Sequence, residues 1–145
     1  MDININKEEI SIEENRKKQN IKILVVEDDV FLTSLLTGRL DKEGYKISCV
    51  NDGVKALKFL ESEIPDIVFL DIIMPEMNGF ETLKKIRADS RYKNVSIIIF
   101  SNLSQEYEIE EGKKLGADEF LIKSNFTLKE VVNKINELLH QKGKI

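Results

Sequence analysis

The chain has 145 residues, 41% of them hydrophobic, which fits one domain with a real core. Its formal net charge of −4 argues against nucleic acid or an anionic membrane as the main partner, since both need a basic face. No apolar run approaches the roughly 20 residues that span a bilayer, and the N-terminus MDININKEEI lacks the basic and apolar regions of a signal peptide, so the expected location is the cytoplasm.

Residues 1–20 stand apart from the rest of the chain. They are rich in Asn, Lys, Glu and Ile and run into the polar stretch Glu13 to Asn20, which predicts a polar N-terminal extension. Ile3, Ile5, Ile10 and Ile12 alternate weakly, and Glu8 to Lys18 can form a polar helix if something is there to pack on.

From Ile21 the pattern is regular. Short apolar runs at Ile21–Val26, Tyr45–Val50, Ile67–Leu70, Val95–Phe100 and Glu119–Ile122 predict five strands. Helix-period stretches lie between and after them: Val30–Glu43, Val54–Glu63, Phe80–Ala88, Gln105–Leu115 and Leu128–His140, with Asp52, Asn78, Ser104 and Thr127 as expected caps. Strict alternation implies parallel strands joined by right-handed crossovers, hence a three-layer α/β sandwich over residues 21–140 and a short C-terminal tail, 141–145. Cys49, the only cysteine, reads as a small residue in the second strand, and His140 as a partner of the last helix's dipole.

Two strands end on acids. The run Val68-Phe69-Leu70 stops at Asp71 before a loop containing Pro75, and the first strand stops at Glu27, Asp28 and Asp29. In an open parallel sheet, ligands collect beyond the carboxyl ends of the strands, so at least three carboxylates meet in one crevice and their repulsion calls for a cation. Singly, each has an ordinary reading: a capping turn for the first acids, a helix-start signal for Ser101, a surface lysine for Lys123, a simple turn for Met74-Pro75. Their common placement on one edge of the sheet favours a site.

In this setting the chain resembles the receiver domain of bacterial two-component response regulators, in particular single-domain chemotaxis-type receivers. The features that carry the resemblance are Glu27-Asp28 after the first strand, Asp71 with Met74-Pro75 and Asn78-Gly79 after the third, Ser101 after the fourth, the turn Gly116-Ala117-Asp118, and Lys123 after the fifth. The resemblance implies a flavodoxin-like fold, a five-stranded parallel sheet of order 2-1-3-4-5 with five flanking helices. It implies that Asp71 is phosphorylated by a histidine kinase or histidine phosphotransfer protein with Mg2+. Asp28 and Asp71 would bind the ion directly, Glu27 directly or through water, and the backbone carbonyl of Ile73 would complete the protein's share. Lys123 and Ser101 would hold the phosphoryl oxygens.

The same resemblance makes Ser101 and Phe120 the switch, with a downstream protein docking on the face of the fourth helix, fifth strand and fifth helix. Phe120 stands where Tyr is frequent, so packing alone would report the state. Ile73 and Leu103, two positions after Asp71 and Ser101, would border the path of the hydrolytic water and so set the lifetime of the phosphorylated form. Such a domain catalyses only its own phosphorylation and dephosphorylation. With only residues 141–145 after the last helix, the expected output is docking or phosphorelay.

The family usually follows its lysine with proline, often after a cis peptide, whereas Ser124 stands here. A non-proline cis bond costs about 2.5 to 4 kcal/mol, which leaves the isomer of Lys123-Ser124 open at the level of sequence. The alternative is a receiver-like docking domain controlled by binding without phosphorylation. A haloacid-dehalogenase-type phosphohydrolase needs an acid at position 73, where Ile73 stands, and the first strand ends in acids rather than the glycine-rich loop of a nucleotide or flavin site.

Overall fold

The computed structural model describes residues 7–145. In chain order the elements are α1 (Lys7–Lys18), β1 (Lys22–Val26), α2 (Val30–Lys42), β2 (Lys46–Val50), α3 (Gly53–Ser62), β3 (Ile67–Leu70), α4 (Gly79–Ala88), β4 (Ser96–Ser101), α5 (Glu106–Lys114), β5 (Glu119–Ile122) and α6 (Leu128–Gln141). Single 3-10 turns occupy Ser90–Tyr92 and Lys123–Asn125. The sheet has the order β2-β1-β3-β4-β5 and every pairing is parallel. This is the flavodoxin-like arrangement expected, with one helix more among the described residues because α1 precedes the sheet.

Period-two alternation sends the strand residues to two cores. Ile23, Val25, Ile67, Phe69, Ile98 and Phe100 face α2 and α6, where Leu36, Leu40, Val131, Ile135 and Leu139 meet them. Leu24, Val26, Val68, Leu70, Ile97 and Ile99 face the other way, onto Ala56, Leu60, Leu83 and Ile86 of α3 and α4. All six residues of β4 are buried, as a central strand covered on both faces requires. The edge strand β2 exposes Cys49.

Caps fix where the helices begin. The side chains of Asp52, Asn78 and Thr127 accept backbone N–H groups from Lys55, Glu81 and Glu130. Ser104 does not cap α5. Gln105 occupies that position, and its N–H is taken by the Glu108 carboxylate at 3.1 Å.

The polar helix that the sequence allows over Glu8 to Lys18 forms as α1. Ile3 and Ile5 lie outside the described residues, and Ile10 and Ile12 stand exposed on α1. The helix is attached by its last residue instead: Lys18 is buried, 3.4 Å from Glu43 Oε1 and 5.6 Å above the Tyr45 ring. Glu14 adds a contact of 3.5 Å to His140 at the end of α6. Residues 141–145 are docked, because Ile145 is buried in the α2/α6 core and Lys144 pairs with Asp66.

Candidate functional site

The parallel ladder continues one residue beyond β1 and β3, and this places the acids. Asp71 N–H donates to the Val26 carbonyl at 3.0 Å, and Glu27 N–H donates to Val50 at 3.1 Å. Both carboxylates are therefore held on backbone that is still part of the sheet. Asp28 is the first residue free of the ladder and is exposed. Carboxylate oxygens of Glu27, Asp28 and Asp71 all lie within 4.8 Å of one another. Asp29 separates from this group and caps α2 by accepting Leu32 N–H at 3.0 Å, so the capping role holds for it alone among the first strand's acids.

Gly79 sets the other wall. Its N–H donates to the Ile72 carbonyl at 2.8 Å, and a Cβ there would lie 2.2 Å from the Asp71 carbonyl oxygen. Only glycine lets the start of α4 press this closely on the backbone that carries Asp71. The intervening loop also holds Glu76 at φ 68°, the left-handed region a non-glycine residue enters at a cost.

Lys123 crosses from the end of β5 to the acids. Its ammonium lies 2.9 Å from Glu27 Oε2 and 3.0 Å from Asp71 Oδ2, with the Phe100 ring centroid 5.9 Å away. The described residues contain no cis peptide bond, so Lys123-Ser124 is trans. Burial works against the lysine charge, but hydrogen bonds and charge from Glu27 and Asp71 outweigh it and hold its pKa above the ordinary value. Burial also pushes Glu27 up to about 6, with the Lys123 hydrogen bond opposing and the Asp71 charge adding to the rise.

Ser101 is fully buried and continues the line of Ile97 and Ile99 along β4. Its hydroxyl accepts Leu103 N–H at 3.4 Å. Ile73 is 60% exposed at the rim, and Leu103 is half-buried. Phe120 is half-buried on β5, paired in register with Ile99. A cleft of about 310 Å³ opens beside Glu27 and Asp28, bordered by Val30, Thr33, Asn51 and Lys55.

The three acids, Lys123 and the end of β4 thus meet at one edge of the sheet. The sequence reading missed Phe100 beneath Lys123, since an aromatic in an apolar strand reads only as core. It missed also that Val30 and Phe31, which look like the apolar face of α2, stand 82% and 74% exposed at the rim.

The donor set suits a hard dication. It consists of carboxylate oxygens, and three carboxylates against the one ammonium of Lys123 leave an excess of two negative charges when all are ionised. Among the described residues, Asp28 has no ion-pair partner.

The chain belongs to the response regulator receiver domain family, whose sequence profile matches residues 23–136. A probable transcriptional regulator ycf27 of Guillardia theta is 35% identical over 123 residues, covering 85% of this chain and 47% of that protein. The transcriptional regulatory protein CpxR homolog of Haemophilus influenzae is 37% identical over 120 residues, covering 83% of this chain and 51% of that protein. The chain spans about half the length of the curated relatives it matches. Among solved structures, the receiver domain of the Francisella response regulator 1452 superposes with a TM-score of 0.77 at 28% identity, covering 85% of this chain and 99% of that one. The chemotaxis response regulator CheY4 of Vibrio cholerae gives 0.77 at 28% identity, covering 82% and 98%. Domains of this family are signalling switches of two-component systems, not enzymes in the ordinary sense. No helix among the described residues is long and apolar enough to cross a membrane.

Proposed function

We propose that the chain is a phosphorylation-controlled switch of the cytoplasm in which Asp71 accepts a phosphoryl group from a phosphohistidine of a kinase or phosphotransfer protein. The observation that supports this best is the Lys123 ammonium lying within 3.0 Å of both Asp71 and Glu27, beside the third carboxylate of Asp28. Asp28 and Asp71 would hold a magnesium ion directly, Glu27 directly or through water, and the Ile73 carbonyl would add a further oxygen. The ion, when bound, neutralises phosphoryl oxygens.

The remaining work falls to the chain's own residues. An Asp71 oxygen attacks phosphorus while the P–N bond to the donor imidazole breaks and its electron pair leaves with the imidazole. Lys123 exchanges part of its pairing with Asp71 for the incoming oxygens. The Ser101 hydroxyl turns from Leu103 N–H to donate to another of those oxygens. Phe120 then repacks, and the face of α5, β5 and α6, with Tyr107 71% exposed and Lys113 and Lys114 exposed at the end of α5, changes its partner preference. Phosphorylation moves this equilibrium only by its differential affinity for the two packings. Val30 and Phe31 offer the donor protein an apolar edge next to the acids. That face acts on its partner by docking, and Asp71 can pass its phosphoryl group on to a histidine.

Incubation with magnesium and acetyl phosphate, followed by intact mass, tests this reading. The expected result is one added phosphoryl group, lost in Asp71→Asn. No phosphoryl group on the native chain, or an undiminished one on Asp71→Asn, would overturn it and favour control by binding alone.

A further inference from the structure

Glycine in the middle of a helix costs about 1 kcal/mol relative to alanine, yet Gly112 sits in the interior of α5 and is that helix's one buried residue. The contacts around it give the reason. A Cβ at Gly112 would lie 2.8 Å from Ile99 Cδ1 and 3.0 and 3.3 Å from Cδ2 and Cε2 of Phe120. Those two side chains are register neighbours on β4 and β5, so both stand on the sheet face that α5 covers. Ile99 meets the added atom with the end of its side chain inside the core, whereas Phe120 is half-buried on an edge strand and has room to move outward. Ser101 is two residues beyond Ile99 on the same face, with its hydroxyl tied to Leu103 N–H, and Lys123 is tied to Asp71 and Glu27. These are the contacts a phosphoryl group would have to displace, so the ring lying against Gly112 belongs to the resting packing.

We propose that Gly112 is a positioning residue for the switch: the missing side chain is the seat of the Phe120 ring in the resting packing, and its size sets the balance between the two packings. The inference rests on the assignment of Ser101 and Phe120 as a switch. It adds that α5 senses the ring through bare helix backbone, so any side chain at 112 pushes the ring out and favours the phosphorylated packing.

The test is a titration of the full chain with beryllium fluoride and magnesium, a phosphoryl mimic, followed by NMR. Gly112→Ala is expected to bind three- to tenfold more tightly than the native chain, because the competing packing is disfavoured. In a Phe120→Ala background the same change at 112 should alter affinity by less than twofold, an outcome that general loosening of α5 would not produce. Unchanged or weaker binding by Gly112→Ala, or an equal gain without the ring, would overturn the proposal while the native chain still binds. Failure of the native chain to bind would overturn the phosphorylation reading itself, and this inference with it. Should Gly112→Ala not fold, folding of the double variant supports the ring as the obstacle, and failure of both overturns it.

Discussion

If the chain is phosphorylated as proposed, Ile73 and Leu103 would border the approach to Asp71 with hydrocarbon. An acyl phosphate is hydrolysed by a water placed in line with the bond to be broken, and neither side chain can hydrogen-bond or orient one. A long-lived phosphorylated form is therefore expected. Replacing the pair by Ile73→Asn with Leu103→Glu should speed dephosphorylation tenfold or more, equivalent to lowering the barrier by at least about 1.4 kcal/mol. Mass spectrometric decay curves in magnesium, without any phosphatase, measure this. Equal rates for the two proteins would show that water access is controlled elsewhere.

At the level of elements, the attachment of α1 decides what residues 2–18 contribute. An amphipathic helix would dock through an apolar stripe, but α1 exposes Ile10 and Ile12 and joins the domain through Lys18, with a second contact from Glu14. The Lys18 stem is buried against Tyr45, while its pairing with Glu43 is partly solvated. The partly solvated pair contributes up to about 1 kcal/mol and the buried cation–ring contact up to about 2 kcal/mol. Deleting residues 2–18 should lower stability by no more than the two together, as read from urea unfolding midpoints. A larger loss would mean that α1 belongs to the cooperative core.

For the molecule as a whole, the gathered acids couple cation binding to stability. Carboxylates that repel one another in the folded state and separate in the unfolded chain bind a dication only when folded. Magnesium should therefore raise the melting temperature, by an amount equivalent to about 2.7 kcal/mol at a hundredfold excess over Kd. Calcium tests whether the acids select the smaller ion, and Asp28→Asn should remove most of the magnesium effect together with phosphorylation. Thermal melts with and without the ion give the answer. A full magnesium shift in Asp28→Asn would place the cation at some other group of acids.

The amino-acid sequence alone determined the alternating architecture, because apolar runs of four to six residues separated by helix-period stretches have one economical arrangement, a parallel sheet covered on both faces. It also determined which residues stand at the strand ends: Glu27, Asp28, Asp71, Ser101 and Lys123 were legible there, each at or one residue past the point where an apolar run stops. Only the tertiary structure decided which of them touch. Lys123 reaches Glu27 and Asp71 across the sheet, contacts separated in sequence by 96 and 52 residues, from 123 − 27 and 123 − 71, and no local pattern encodes a distance of that kind. The same holds for Asp29, which local chemistry cannot distinguish from Asp28 until one is seen to cap α2 and the other to face the crevice. Lys18, Ile145 and Gly112 complete the case. A buried lysine, an anchored C-terminal residue and a helix glycine under a ring have meaning only through neighbours that folding brings to them, since burial is a property of the assembled layers and not of any one segment.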